Sequence, residues 1–189
     1  LTTIGSYQVN VQIESTQRQL ALLSSATEQD MPTNWTFRWR RLWENTDFEC
    51  QNIVKLSYGN QIWGLVRYGI YPYPGEPMYI EIEQLEANPI SRGSLEKRFI
   101  EPVGKWLIWY AIQVGIKFCV IQPGVPLVAL VSLDDAVSYY RDKIQMEYLG
   151  TVTIAPGEDG FGFRFFDREA KQFCQRHEST WGVPESYGT

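Results

Sequence analysis

MYIEIEQLEANPISRG (78–93), RFIEPVGKWLIWYAIQVGIK (98–117), PLVALVS (126–132) and LDDAVSYYRDKIQMEYLG (133–150) follow one another along the chain. They read as strand, helix, strand and helix. In the first, the strand runs from about Met78 to Ala87, with Ile80, Ile82, Gln84 and Glu86 on one face and Tyr79, Glu81, Glu83 and Leu85 on the other. The helix opens at Pro102, which suits a first helical turn because it needs no N–H there. Val103, Trp106, Leu107, Tyr110, Ala111 and Val114 then recur at helical spacing, and Gly115 is placed to end the run. Ile108, Trp109 and Ile112 widen the apolar stripe, so the helix is expected to be covered on more than one side. VPLVALV is a continuous apolar run, as in a buried parallel strand. Strand, helix and parallel strand make one right-handed crossover. The first turn of its helix carries free N–H groups and a positive dipole end, an arrangement that binds anions, and phosphate-bearing ligands above all.

Upstream, NIVKLSY and QIWGLVRYGIY flank Gly59-Asn60, a pair suited to positive φ, and predict a hairpin. Trp35, Phe37 and Trp39 alternate with Thr36 and Arg38 as in a half-buried strand, although Leu42 and Trp43 equally continue a helix. Residues 1–34 are weakly patterned, and Leu20, Leu22 and Leu23 predict a short helix there. Downstream, Asp134 or Asp135 caps a helix carrying Ala136, Tyr139, Tyr140 and Lys143. Residues 147–166 predict two closing strands, DREAKQFCQRHE a short last helix with His177 on its surface, and 179–189 a mobile tail. The main domain is expected over 35–178.

Composition sets limits. At 189 residues, with 44% hydrophobic and 21% charged residues, the chain suits one globular domain. A net charge of −5 argues against a general nucleic-acid binder, and Arg38, Arg40 and Arg41 read as a solvated face. No apolar run reaches the roughly 20 residues of a membrane helix, so no membrane partner is expected. The beginning lacks the plan of a signal peptide, and a start at Leu1 points to a processed or trimmed product. Three scattered cysteines, Cys50, Cys119 and Cys174, make a poor disulfide framework and read as thiols in a reducing, cytoplasmic setting. With a single histidine, His177, a zinc site would need an unusual ligand set, and no metal is expected.

This order of elements resembles the GNAT-type N-acetyltransferase superfamily over roughly residues 35–175. LEANPISRG, RFIEPVGKWLIWYA and DDAVSYYRDKIQMEYLG carry the resemblance. The family's loop is Arg/Gln-x-x-Gly-x-Gly/Ala. Gly104 fits its second small position, Pro102 stands at the first, and Phe99 stands where Arg or Gln is usual, with Arg98 one place earlier. The resemblance implies an α/β (mixed α+β) fold, with a central mixed twisted sheet and helices on both faces. It implies acetyl-CoA as co-substrate and no metal. The pyrophosphate would rest on Val103, Gly104 and Lys105, near the cations Arg92 and Arg98, and the backbone at Leu85, Glu86 and Ala87 would hold the rest of the molecule.

The expected activity is acetyl transfer to an amine, on a small molecule or a protein, by direct attack. An amine must lose a proton, and Glu81 or Glu83 would serve as base if burial raised its pKa. By family analogy Tyr140 would protonate the departing thiolate, with Tyr139 as its neighbour and competitor. A homodimer is a common assembly in such proteins. The alternative is a catalytically inactive GNAT-like module that acts as a protein-binding or CoA-sensing domain, for which Pro102 and Phe99 speak. A third reading places a different phosphate-bearing ligand at the same helix terminus.

Overall fold

Strict alternation in YQVNVQI puts Val9, Val11 and Ile13 on one buried face of β1 (Tyr7–Ile13), which pairs antiparallel with β2 (Gln17–Ser25). The computed structural model describes residues 2–14, 16–92 and 97–188. Leu1, and Gly93 and Glu96 of the charged loop, lie outside them. The helix expected around Leu20 to Leu23 is therefore a strand. Its Ala21 and Leu23 are buried while Leu20 faces solvent, which is the period of two and not of a helix.

After β2 comes α1 (Trp39–Glu44), so the segment around Trp39 is helical where a strand was the first reading. β3 (Gln51–Tyr58) and β4 (Gln61–Tyr71) form the expected hairpin, with Gly59 at φ 60° and Asn60 at φ 61°. β5 (Tyr79–Ala87), the short β6 (Ile100–Glu101), α2 (Gly104–Phe118) and β7 (Val128–Ser132) follow. A 3-10 turn at Asp134–Ala136 and one wide helical turn, Tyr139–Ile144, lead to β8 (Glu147–Ala155) and β9 (Glu158–Phe165). The chain closes with α3 (Asp167–Trp181) and β10 (Glu185–Ser186).

One mixed sheet runs β10-β1-β2-β3-β4-β5-β7-β9-β8, with β6 joined to β1. Among the described residues β5 and β7 are its parallel pair and the other pairings are antiparallel. Helices lie on both faces. Ile53 and Leu65 pack with Trp39 of α1, whereas Val54, Val66 and Tyr68 pack with α2. α3 covers α2 from outside, and Trp109 Nε1 donates to Glu178 Oε1 at 2.8 Å. That second cover explains why Trp106 through Ile112 are all buried.

Gly115 does not end α2. It lies inside the helix where a Cβ would come within 2.9 Å of Ile80 and 3.2 Å of Leu127, so its role is to let helix and sheet approach. The last residues also differ from expectation. β10 pairs with β1, and Asn10 Nδ2 donates to the Trp181 carbonyl at 2.8 Å, because the outer edge of β1 offers unpaired backbone groups. α3 extends to Trp181 and buries His177, which was expected on the surface.

The register of β5 changes midway. Ile82 lies opposite Tyr68 but Gln84 lies opposite Arg67, so Glu83 is an extra, bulged residue. Before it Ile80 and Ile82 face α2; after it Leu85 does, and Gln84 and Glu86 face α1. The simple alternation read from the sequence holds only as far as Glu83. Glu86 is buried there and accepts from the Thr36 and Phe37 amides at 2.6 and 3.0 Å and from Trp39 Nε1 at 2.9 Å. Glu86→Ala strands these donors. It is expected to cost about 3 kcal/mol or more in urea unfolding, with Glu86→Gln losing less because it keeps an acceptor.

Candidate active site

β5 and β7 pair in parallel at Ile80–Val128, Glu81–Ala129 and Ile82–Leu130, and their pairing ends there. Beyond that point β7 continues against β9 alone, as far as Ser132, while β5 continues against β4 to Ala87. The two strands therefore part, and the backbone of Leu85, Glu86 and Ala87 has one edge without a strand partner among the described residues. The bulge at Glu83 coincides with the parting.

The start of α2 stands at this opening. Val103 packs where Gly64 has no side chain, fixing the helix start against β4. A Cβ on Gly104 would lie 2.5 Å from the Tyr139 hydroxyl and 3.6 Å from Leu85 Cδ2. Hence Leu85, Gly104 and Tyr139 meet at one point, and the Tyr139 hydroxyl takes the space that a side chain on Gly104 would fill. Lys105 is half-buried beside them. Arg98 pairs with Glu101 at 2.7 Å, and Arg92 donates to Thr36 Oγ1 at 2.9 Å. Phe99, at the position where the family has Arg or Gln, stacks on Trp63 with ring centroids 4.8 Å apart.

The opposite face of the sheet carries a polar cluster. Arg67 is buried and donates to Thr46 Oγ1 (3.0 Å), Gln84 Oε1 (3.2 Å), Gln51 Oε1 (3.0 Å) and the Asn45 carbonyl (3.3 Å). It also pairs with Glu83 at 2.5 Å. Glu83 accepts further from Gln51 Nε2 at 2.9 Å and from the Tyr71 hydroxyl at 2.6 Å. Burial and this bond hold the Tyr71 phenol well above its usual range. Glu83 is thus fully engaged. Glu81, two residues earlier on the same face, has no ion pair among the described residues. Burial first, and the charge of Glu83 second, raise its carboxyl above the usual glutamate range.

The sequence candidates are therefore divided. Leu85, Val103, Gly104 and Lys105 gather at the parting of the strands, Glu81 and Glu83 lie together on the α1 face, and the Glu86 side chain is turned into the anchor of residues 36–39. Tyr140 is buried with its ring 5.6 Å from Phe163 and 5.3 Å from Tyr139, and burial pushes both phenols up. Sequence reasoning missed Gln51, Arg67 and Tyr71. A signal existed in Arg67, a lone charge between Val66 and Tyr68 in an apolar strand. Among the described residues no group of three His, Cys, Asp or Glu is placed to hold a metal ion, and no helix is long and apolar enough to cross a membrane.

The architecture is the GNAT acetyltransferase fold. Two solved acetyltransferase structures share it. A ribosomal-protein-alanine N-acetyltransferase from Brucella melitensis matches with TM-score 0.52 and 19% identity over 76% of this chain and 98% of that one. The aminoglycoside acetyltransferase AAC(6')-Ib, solved with coenzyme A and kanamycin, matches with TM-score 0.53 and 15% identity over 79% and 96%. An uncharacterized protein (bh2621) from Bacillus halodurans covers more, 94% of this chain and 98% of its own, with TM-score 0.62 and 9% identity. No family model and no curated protein sequence matches the chain.

Two measurements probe the cluster. Arg67→Met leaves Glu83 buried without its cation and is expected to cost about 3–5 kcal/mol in urea unfolding. Adding Glu83→Gln to that variant should recover a large part, so that a double-mutant cycle reads a coupling between the two. Because the folded-state pKa of Glu81 is raised, its charged form destabilises the fold. Glu81→Gln should therefore be more stable than wild type at pH 7, and the difference should vanish as pH falls through the glutamate range.

Proposed function

We propose that the chain transfers an acetyl group from acetyl-CoA to an amine by direct attack, with no covalent enzyme intermediate. The observation that carries this reading is the end of β5–β7 pairing at Ile82–Leu130, with the start of α2 at Gly104 facing the opening. An extended thioester-bearing arm suits the free backbone edge of Leu85 to Ala87. A pyrophosphate suits the N–H groups of Val103, Gly104 and Lys105, since Gly104 presents no side chain and the helix dipole favours negative charge. Pro102 contributes no N–H, so the donors there are the three that follow it.

In the reaction the neutral amine nitrogen forms a bond to the thioester carbonyl carbon. The carbon–sulfur bond then breaks, and CoA leaves as thiolate. The proton released by the nitrogen goes to Glu81, directly or through water. Glu81 suits this better than Glu83, because Glu83 already spends its oxygens on Arg67, Gln51 and Tyr71, whereas the raised pKa of Glu81 brings it nearer neutral pH. By the resemblance Tyr140 is assigned to return a proton to the thiolate; burial keeps its phenol protonated and also weakens it as an acid, so the charge developing on sulfur must drive the transfer. Acceptors of the amine class are supported by the two acetyltransferases of like fold, named for a ribosomal-protein alanine and bound to kanamycin respectively. The three free, buried cysteines favour a reducing compartment, and we place the protein in the cytoplasm.

Calorimetric titration with acetyl-CoA tests the reading. Micromolar binding, about −8 kcal/mol, that Gly104→Trp abolishes is the expected result. Glu81→Gln should keep that affinity and lower turnover of any accepted amine by roughly 10²–10⁴-fold. Absence of binding to any acyl-CoA would sink the reading and leave the partner-binding module.

A further inference from the structure

At the end of the molecule where α2 begins, α3 finishes, and Lys143 of the turn Tyr139–Ile144 lies beside both. A cleft of about 130 Å³ lies there, and Lys105, Lys143 and Arg176 all line it. No carboxylate is among its lining residues, and among the described residues none of the three cations has a salt-bridge partner. Three positive charges facing one small space repel one another, an arrangement whose cost falls when an anion enters.

His177 sits in the wall of this space, is 5% exposed, and its Nε2 is buried without any hydrogen-bond partner. The ring is fixed from two sides, 4.1 Å from the Trp106 ring and 5.9 Å from that of Phe173. A buried polar nitrogen without a partner costs free energy, and native proteins rarely leave one so. Burial first, and Lys105 second, push its pKa down to about 3, so the ring is neutral. A neutral imidazole in the wall leaves the three cations as the charge that an anion would meet. Burial, together with Lys143, Arg98 and Arg176, lowers the Lys105 pKa as well, the mark of a cation lacking its counterion.

We infer that this cleft, built by the C-terminal helix, is a binding site for one phosphate group, held by Lys105, Lys143 and Arg176, with the His177 ring in its wall. The cleft adjoins the α2 start through Lys105. Its phosphate has two sources of the same chemistry: a free phosphate or phosphomonoester, or the 3′-phosphate of CoA, the latter resting on the acetyl-CoA reading above.

The test uses the whole protein. Inorganic phosphate, CoA and dephospho-CoA are titrated by calorimetry into wild type, Arg176→Gln and Lys143→Gln, both of which alter exposed side chains. His177, the single histidine of the chain, supplies one set of imidazole NMR signals that follows site occupancy directly. Phosphate is expected to shift those signals and to bind with Kd of about 1 mM, and each variant to weaken that binding about tenfold or more. CoA outbinding dephospho-CoA by tenfold or more, with the margin erased in both variants, identifies the 3′-phosphate as occupant. Equal affinity for the two, with phosphate binding intact, identifies a free phosphate-bearing ligand. If neither CoA nor dephospho-CoA binds, the acetyl-CoA reading fails while the phosphate arm still decides the cleft. Unmoved His177 signals together with no difference between CoA and dephospho-CoA would overturn the inference, as would affinities unchanged in both variants.

Discussion

Arg67 grips Glu83 and Gln84 at once, and the rest of the site depends on that grip. A bulge places two consecutive side chains on one face, and a single guanidinium with five donors is a group that holds both there. With the extra residue fixed, every later side chain of β5 changes face. Leu85 turns to α2 and meets Gly104, while Glu86 turns to α1 and binds the amides of residues 36 and 37. Parallel pairing with β7 ends at the residue before the bulge, so the opening between the strands and the inversion of β5 have one origin. Without the bulge Glu86 would lie against the apolar face of α2, where an ionised carboxyl has no place.

How far the sequence discloses this depends on whether local pattern and tertiary pairing agree. The hairpin at Gly59-Asn60 and the strand–helix–strand of residues 78–132 are legible because turn chemistry and apolar periodicity both point the same way. The β1 strand in YQVNVQI went unread, because polar Gln8, Asn10 and Gln12 lower the apolar content and residues 1–34 look weakly patterned. The bulge was not legible. Nothing local distinguishes Glu83 from Glu81; the difference lies across the ladder, in Arg67. The same holds for His177, whose surroundings in the sequence are polar. Trp106 and Phe173 bury it, and one of these comes from a helix seventy residues away in sequence. Gly115 misled for a related reason. A glycine near a helix end is most often a terminator, yet here the helix needs it to approach Ile80.

The two ends of the chain hold α2 in place. The Tyr110 hydroxyl donates to the Gly5 carbonyl at 2.7 Å and exchanges a bond of 2.9 Å with Thr3, while Trp106 Nε1 donates to the Asn10 carbonyl at 2.8 Å. Asn10 in turn holds the Trp181 carbonyl, and the Arg18 guanidinium lies over the Trp181 ring at 4.8 Å. A helix whose first turn is proposed to bind an anion must not shift when charge arrives. Residues 3–10 and 181 supply that rigidity from outside the strand–helix–strand unit, which is why both ends of the sequence belong to the same core as the site.

The distribution of charge gives the molecule a direction that its net charge of −5 conceals. Cations gather at the end where α2 begins, in Lys105, Lys143 and Arg176. Carboxylates gather on the α1 face of β5, in Glu81, Glu83 and Glu86, and of these Glu83 has its cation while Glu81 has none among the described residues. A phosphate-bearing ligand is therefore favoured on one side of the strand opening and a cationic amine on the other. An amine reaches protein surfaces as ammonium and must be deprotonated before it attacks. In the proposed reaction the unpaired carboxylate of Glu81 would draw in the charged form, and once that ammonium has lost its proton to water, the raised proton affinity of Glu81 would suit it to take the proton released on attack. One group could play both parts only because Arg67 pairs with its neighbour Glu83.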